Sequence, residues 1–142
     1  MKQQNLNNHK RFHPFYHYFM LPLGLFGLMY SAIHFVNADA DHHFDALFIF
    51  IAFILIFCTI SLIRLYALKV QDRVILGEEN FRHYLLTGKP LDNRLRSRQV
   101  IALRFASDEE MPALAIRAVE ENLKEKDIKG AIVHWRADYK RI

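Results

Sequence analysis

Two apolar stretches dominate the first half of the chain, residues 19–36 and 46–63. Each is 18 residues long, and neither holds a Lys, Arg, Asp or Glu. At ~1.5 Å rise per helical residue, each would reach roughly 27 Å, close to the ~30 Å hydrocarbon thickness of a bilayer. The pattern predicts an all-α membrane protein. Residues 1–18 form an interfacial N-terminal segment, residues 19–63 a two-helix transmembrane hairpin with an acidic connector at 37–45, and residues 64–142 a cytosolic helical region.

The two spans differ in character. The second carries thirteen Leu, Ile or Phe residues, each favouring insertion by roughly 0.3–0.6 kcal/mol near mid-membrane. The first is interrupted by Pro22, Gly24, Gly27, Ser31 and His34. Its small residues Gly24, Gly27 and Ser31 recur at i, i+3 and i+7, a stripe that lets another helix approach closely. Pro22 is expected in the opening turns of the span, where a missing backbone donor costs least. The aromatics Phe12, Phe15, Tyr16, Tyr18 and Phe19 favour the headgroup region and set the depth of the first helix.

Nothing stops the second helix at Ile63. Ile60, Ile63, Ala67, Val70, Val74, Gly77, Phe81 and Tyr84 recur at alternating steps of three and four, a heptad stripe. Lys69, Asp72, Arg73, Glu79 and Arg82 lie off it. One helix should therefore run to about Leu86 and end at Thr87-Gly88-Lys89-Pro90. The stripe has two readings, packing against the rest of the same chain or a parallel dimer seam, and the first is the simpler. Three shorter helices follow. Ser97 can cap one that runs to about Phe105. Ser107-Asp108-Glu109-Glu110 reads as a capping box opening a helix to about Lys124. Asp127 opens the last, whose apolar face Ile128, Ala131, Ile132 and Trp135 places Trp135 at the centre of a small core.

Charge changes this picture in one respect, orientation. Lys2, Lys10 and Arg11 precede the first span, Arg64, Lys69 and Arg73 follow the second, and the connector holds Asp39, Asp41 and Asp45 with no base. The positive-inside bias then puts both termini in the cytoplasm and the connector outside. The mean hydropathy of zero conceals this by averaging an apolar front half with a charged back half. Cys58, the sole cysteine, reads as a small apolar residue of the second span. Tyr30-Ser31-Ala32 makes a poor cleavage site, so the first stretch reads as an uncleaved span.

Candidate chemistry is sparse. His9, His13 and His17 are spaced by four and are the metal-ligand candidates; His34 with His42 and His43 could be imagined around a haem. Pro14 interrupts the trio, and no cysteine or acidic cluster completes a tetrahedral set. Arg94, Arg96 and Arg98 form a basic patch. It suits a solvated loop or an anionic membrane surface, where each charge contributes about 1 kcal/mol. Nucleic acid is disfavoured by the acidic residues nearby and by the lack of a recognised motif. Ser107, Asp108, His134 and Asp138 contain the residue types of a hydrolase triad, but no glycine-flanked nucleophile turn surrounds the serine. No phosphate-binding loop is present.

The chain resembles a bacterial family of small two-span membrane proteins classed as a domain of unknown function. The resemblance is carried by Asn8-His9-Lys10-Arg11, by Val70-Gln71-Asp72-Arg73, by the block Ile101-Ala102-Leu103-Arg104-Phe105-Ala106-Ser107-Asp108-Glu109-Glu110, and by the closing Ile128-Lys129, Ile132 and Trp135-Arg136-Ala137-Asp138. It implies a two-span topology and a helical cytosolic end, with no activity, catalytic residue or cofactor. The expectation is a non-enzymatic membrane-anchored interaction or scaffold module. Its company would be the lipid bilayer and either a second copy or a membrane-complex partner. The alternative is an accessory membrane subunit binding haem or metal through its histidines.

Overall fold

The computed structural model describes residues 13–138. These residues are helical throughout, apart from connecting turns and one isolated antiparallel bridge between Ala106 and Trp135. A π-helical turn, Phe15–Met20, runs into α1, Leu21–Val36; a short 3-10 turn, Ala40–His42, leads to α2, His43–Thr87; then come α3 (Ser97–Leu103), α4 (Met111–Glu120) and α5 (Glu125–Ala131). The described residues fall into two compact units, 13–68 and 69–138.

In the first unit α1 and the first half of α2 form an antiparallel pair. Partners descend along α2 as they ascend along α1: Tyr16 lies under the Arg64 guanidinium at 5.6 Å, Gly24 faces Phe57 and Ile60, Gly27 faces Phe53, and Phe35 stacks on Phe50 at 5.9 Å. The small-residue stripe is the contact line, with Gly24 and Ser31 the buried residues of α1. A Cβ at Gly27 would overlap the Phe53 ring, so only glycine allows this approach.

Pro22 corrects one expectation. The helix begins at Pro14, not near residue 19, which leaves Pro22 well inside it. The preceding turn widens in response: the Leu21 N–H donates to the Tyr16 carbonyl, a five-residue step. Proline supplies no donor to the turn before it, and a local π register absorbs the mismatch without ending the helix.

α2 ends where its turn signal lies. Gly88 adopts φ +73° and its N–H donates to the Tyr84 carbonyl at 2.8 Å, a left-handed cap that favours glycine. Beyond it, the chain is held back against the helix that it leaves. The Leu91 N–H donates to Asn80 Oδ1 at 2.9 Å, and the His83 ring pairs with the Lys89 carbonyl at 2.8 Å.

The core of the second unit gathers Leu91, Val100, Leu103, Phe105, Met111, Leu114, Ala118, Ile128 and Ile132, with Leu76 of α2 against it. Phe105, Leu103, Met111 and Ile128 are its large, fully enclosed side chains. Trp135 is not the centre. α5 stops at Ala131, and Trp135 sits in an extended segment, half-buried, 5.1 Å from the Phe105 ring. The Arg136 N–H donates to the Phe105 carbonyl at 2.8 Å, tying that segment down. A helical period carried past residue 131 therefore misplaced the indole.

The helix starts also shift. Ser97 is the first helical residue of α3, and Gln99 closes the turn by accepting from the Arg96 N–H at 2.7 Å. The Gln99 amide then donates to the Ala118 and Leu123 carbonyls at 3.2 and 2.8 Å, clamping α3 to the end of α4. The Ser107 hydroxyl accepts from the Glu110 N–H at 3.3 Å, but the helix proper begins only at Met111 and ends at Glu120. Asp127 is the third residue of α5, its carboxylate accepting from the Lys124 N–H at 3.3 Å.

A larger correction concerns the heptad stripe. Over residues 69–87, α2 turns Ile75, Leu76, Glu79 and Arg82 inward, and leaves Val70, Val74, Phe81 and Tyr84 exposed. At 100° per residue the two sets occupy opposite sides of the helix. The stripe does not pack on its own unit.

Two expected outcomes follow from this packing. Phe105→Ala should cost about 3–5 kcal/mol, enough to make the second unit protease-sensitive, and should cost more than Trp135→Ala; equal effects in urea unfolding would refute the placement of the core. Gly27→Ile should separate α1 from α2, read as a rise in the protease sensitivity of the pair, whereas Leu25→Ile, on an exposed position, should leave it unchanged.

Candidate functional site

The sequence candidates land in different places. His9 lies outside the described residues. The other two of the trio serve the helix start: the Tyr16 N–H reaches His13 Nδ1 at 3.4 Å, and His17 Nδ1 pairs with the His13 carbonyl at 3.0 Å. His34 is exposed near the end of α1, and His43 lies against the Phe35 ring at 4.7 Å. Among the described residues no three His, Cys, Asp or Glu side chains converge as a metal site would need.

The basic patch divides. Arg94 is bound by Asp92, its Nη2 2.7 Å from the carboxylate and its backbone N–H 2.8 Å away. Those two hydrogen bonds pull the Asp92 carboxyl down to about 2, and the side-chain bond, with the charge of Asp92, raises the Arg94 guanidinium above its ordinary value. Arg96 and Arg98 are exposed, one at the cap position of α3 and one within it.

Ser107, His134 and Asp138 are employed separately. Ser107 holds the turn before α4, and its hydroxyl, after the residue's own backbone N–H, helps to keep the Glu109 carboxyl below the usual range. His134 Nδ1 lies 2.8 Å from Glu110, while Asp138 lies 3.4 Å from the Arg104 guanidinium. Glu110 also accepts the backbone N–H groups of Val133 and His134 at 3.2 and 3.0 Å. Partial burial pushes the Glu110 carboxyl up, but these bonds outweigh it and leave it below its ordinary value. The carboxylate thus pins the segment after α5 to the start of α4.

A polar hub that sequence reasoning passed over lies on the inward face of α2. Arg82 donates from Nε to Asp108 at 2.7 Å, from Nη1 to Glu79 at 2.9 Å and from Nη2 to the Ala106 carbonyl at 2.8 Å. Arg136 approaches the other oxygen of Glu79 at 3.7 Å. The side chains of Arg82 and Glu79 are only 11% and 9% exposed, so both charges are paired where water is scarce. Glu79 and Arg82 stand three apart, opposite the apolar stripe, and that spacing was the available signal.

The outward face of the same helix is the other distinctive surface. Val70, Val74, Phe81 and Tyr84 are 52–64% exposed, and a Cβ at Gly77 would meet nothing within 4 Å. An apolar row of this length on one helix face is the kind of surface that marks an interaction site.

The chain belongs to the family of unknown function DUF6526, whose model matches residues 1–142. No curated protein and no solved structure shows significant similarity to it.

Two measurements test the hub and the pin. Arg82→Met removes one partner of a buried ion group and should destabilise the second unit by about 3–5 kcal/mol; Arg82→Lys should recover only part of that, since a point charge cannot reach three acceptors at once. Glu110 has a depressed folded-state pKa, so its contribution is complete above the unfolded value of about 4.3. That contribution fades as pH falls through the lower folded value. The Val133 and His134 amide resonances should titrate together on acidification, and Glu110→Gln should abolish that titration.

Proposed function

We propose that the protein is a non-enzymatic, membrane-anchored interaction module, with 13–68 as the anchor and 69–138 as a small domain held at the cytoplasmic face. The observation that carries this reading is the exposure of the apolar helices. The most hydrophobic windows of the segments Phe15–Val36 and Ala40–Thr87 are only 11% and 6% buried. The core helix of a water-soluble protein is covered by its neighbours; these present Phe26, Phe48, Leu55 and Ile63 outward. Lipid is the solvent in which that arrangement is favourable.

Polar groups within the pair support the same reading. Ser31, Thr59 and Ser61 donate to carbonyls of their own helices, those of Leu28, Leu55 and Phe57, at 2.7–2.9 Å. Hydroxyls satisfied in this way need no water. Arg64 at one end of the pair and the acidic connector at the other form a charge asymmetry that supports an outward-facing connector. Among the described residues no acid pairs with Arg96 or Arg98 as Asp92 does with Arg94, so both exposed arginines are available to an anionic leaflet.

The chain should remain in membranes after alkaline carbonate washing. In a Cys58→Ala background, Ala40→Cys should react with an impermeant thiol reagent on intact cells and Lys126→Cys should react only after lysis. The reverse pattern would overturn the orientation, and release by carbonate would overturn the anchor.

A further inference from the structure

We propose that the exposed stripe of α2, from Val70 to Tyr84, is a parallel seam that binds a second copy of this chain. The first argument is the inversion of the helix. α2 buries a face containing Glu79 and Arg82 and exposes the apolar one, so the chain's own packing leaves the stripe for something else.

The second argument is register. With Val74 and Phe81 at a positions and Val70, Gly77 and Tyr84 at d, the flanking positions g and e fall on Arg73 and Glu78. In a parallel pair, a g residue meets the e residue five positions further along its partner. Arg73 of one copy therefore meets Glu78 of the other, and symmetry repeats the pair. Both side chains are exposed, and neither has an ion-pair partner among the described residues. The charges needed to match two copies in this register are in place and are unused by the single chain.

The third argument is fit. A ring as large as that of Phe81 entering the seam needs space in the hole opposite, and one of the four residues forming that hole is Gly77 of the other copy. Gly77 has open space around its Cβ position. A glycine there weakens the isolated helix by about 1 kcal/mol, and the space that it leaves suits the ring.

The seam is short, and the proposal rests on the anchored reading in one respect: two helices rooted in the same membrane leave it in the same direction and at high local concentration. The test uses the full chain in native membranes with Cys58→Ala. Val74→Cys and Phe81→Cys should each form a disulfide dimer under mild oxidation, and Lys69→Cys, on the same helix but off the stripe, should form several-fold less. In the Val74→Cys chain, Arg73→Glu should lower the dimer yield several-fold by setting two acids against each other. Adding Glu78→Arg should restore it.

Equal yields at Lys69 and Val74, failure of the double exchange to restore, or no dimer at either stripe position would overturn the seam. So would a crosslinked product of a mass other than twice the chain, which would put a different protein on the stripe. Carbonate washing of the same membranes separates the two readings. A retained chain that does not crosslink overturns the pair and leaves the anchor standing. A released chain that still crosslinks at Val74 overturns the anchor and supports the pair.

Discussion

The second unit depends on the placement of one guanidinium. Arg82 reaches Glu79 on its own helix, Asp108 ahead of α4 and the Ala106 carbonyl, and the Ala106 position is in turn bridged to Trp135. Three separate stretches of chain thus meet around one buried ionic group. Such a group does not stabilise strongly against an apolar replacement of equal shape, but leaving one partner alone is costly. Its consequence is selection. Only the rotation of α2 that aims Arg82 inward lets it reach Asp108 and the Ala106 carbonyl, and that rotation fixes which face of the helix remains outside.

The exposed stripe follows from that constraint. Leu76 supplies the apolar contact that α2 makes with the core around Phe105 and Ile75 is buried beside it, while Val70, Val74, Phe81 and Tyr84 are carried to the far side. A helix whose charged face is buried and whose apolar face is wet is locally inconsistent as a monomer. Natural sequences depart from such consistency chiefly where function requires it.

The first unit obeys a different rule. Close approach of α1 to α2 is set by Gly24 against Phe57 and Ile60 and by Gly27 against Phe53, with Ser31 buried further along the same stripe, large side chains entering the space that small residues leave. This contact needs no hydrophobic driving force between the helices and works in a solvent as apolar as they are. The π turn before Pro22 keeps the helix continuous across the proline, so that the aromatics from Phe15 to Phe19 extend α1 by more than a turn.

Local chemistry was enough for much of this. The two apolar runs, the small-residue stripe, the Gly88 stop and the approximate positions of α3, α4 and α5 are legible because each is written in neighbouring residues: a period, a cap, a turn. The family resemblance was likewise readable in runs such as 101–110, and the family model matches residues 1–142. Contacts between residues distant in sequence were not legible. Glu79 and Arg82 looked like a solvated face because their partners Asp108, Ala106 and Arg136 lie 24 to 57 residues away. Trp135 looked like the core because a helical period was extended past Ala131, where Arg136 instead bonds back to Phe105. The direction in which α2 turns its heptad is a property of the packed unit, since a stripe fixes which residues lie together and leaves open what they lie against.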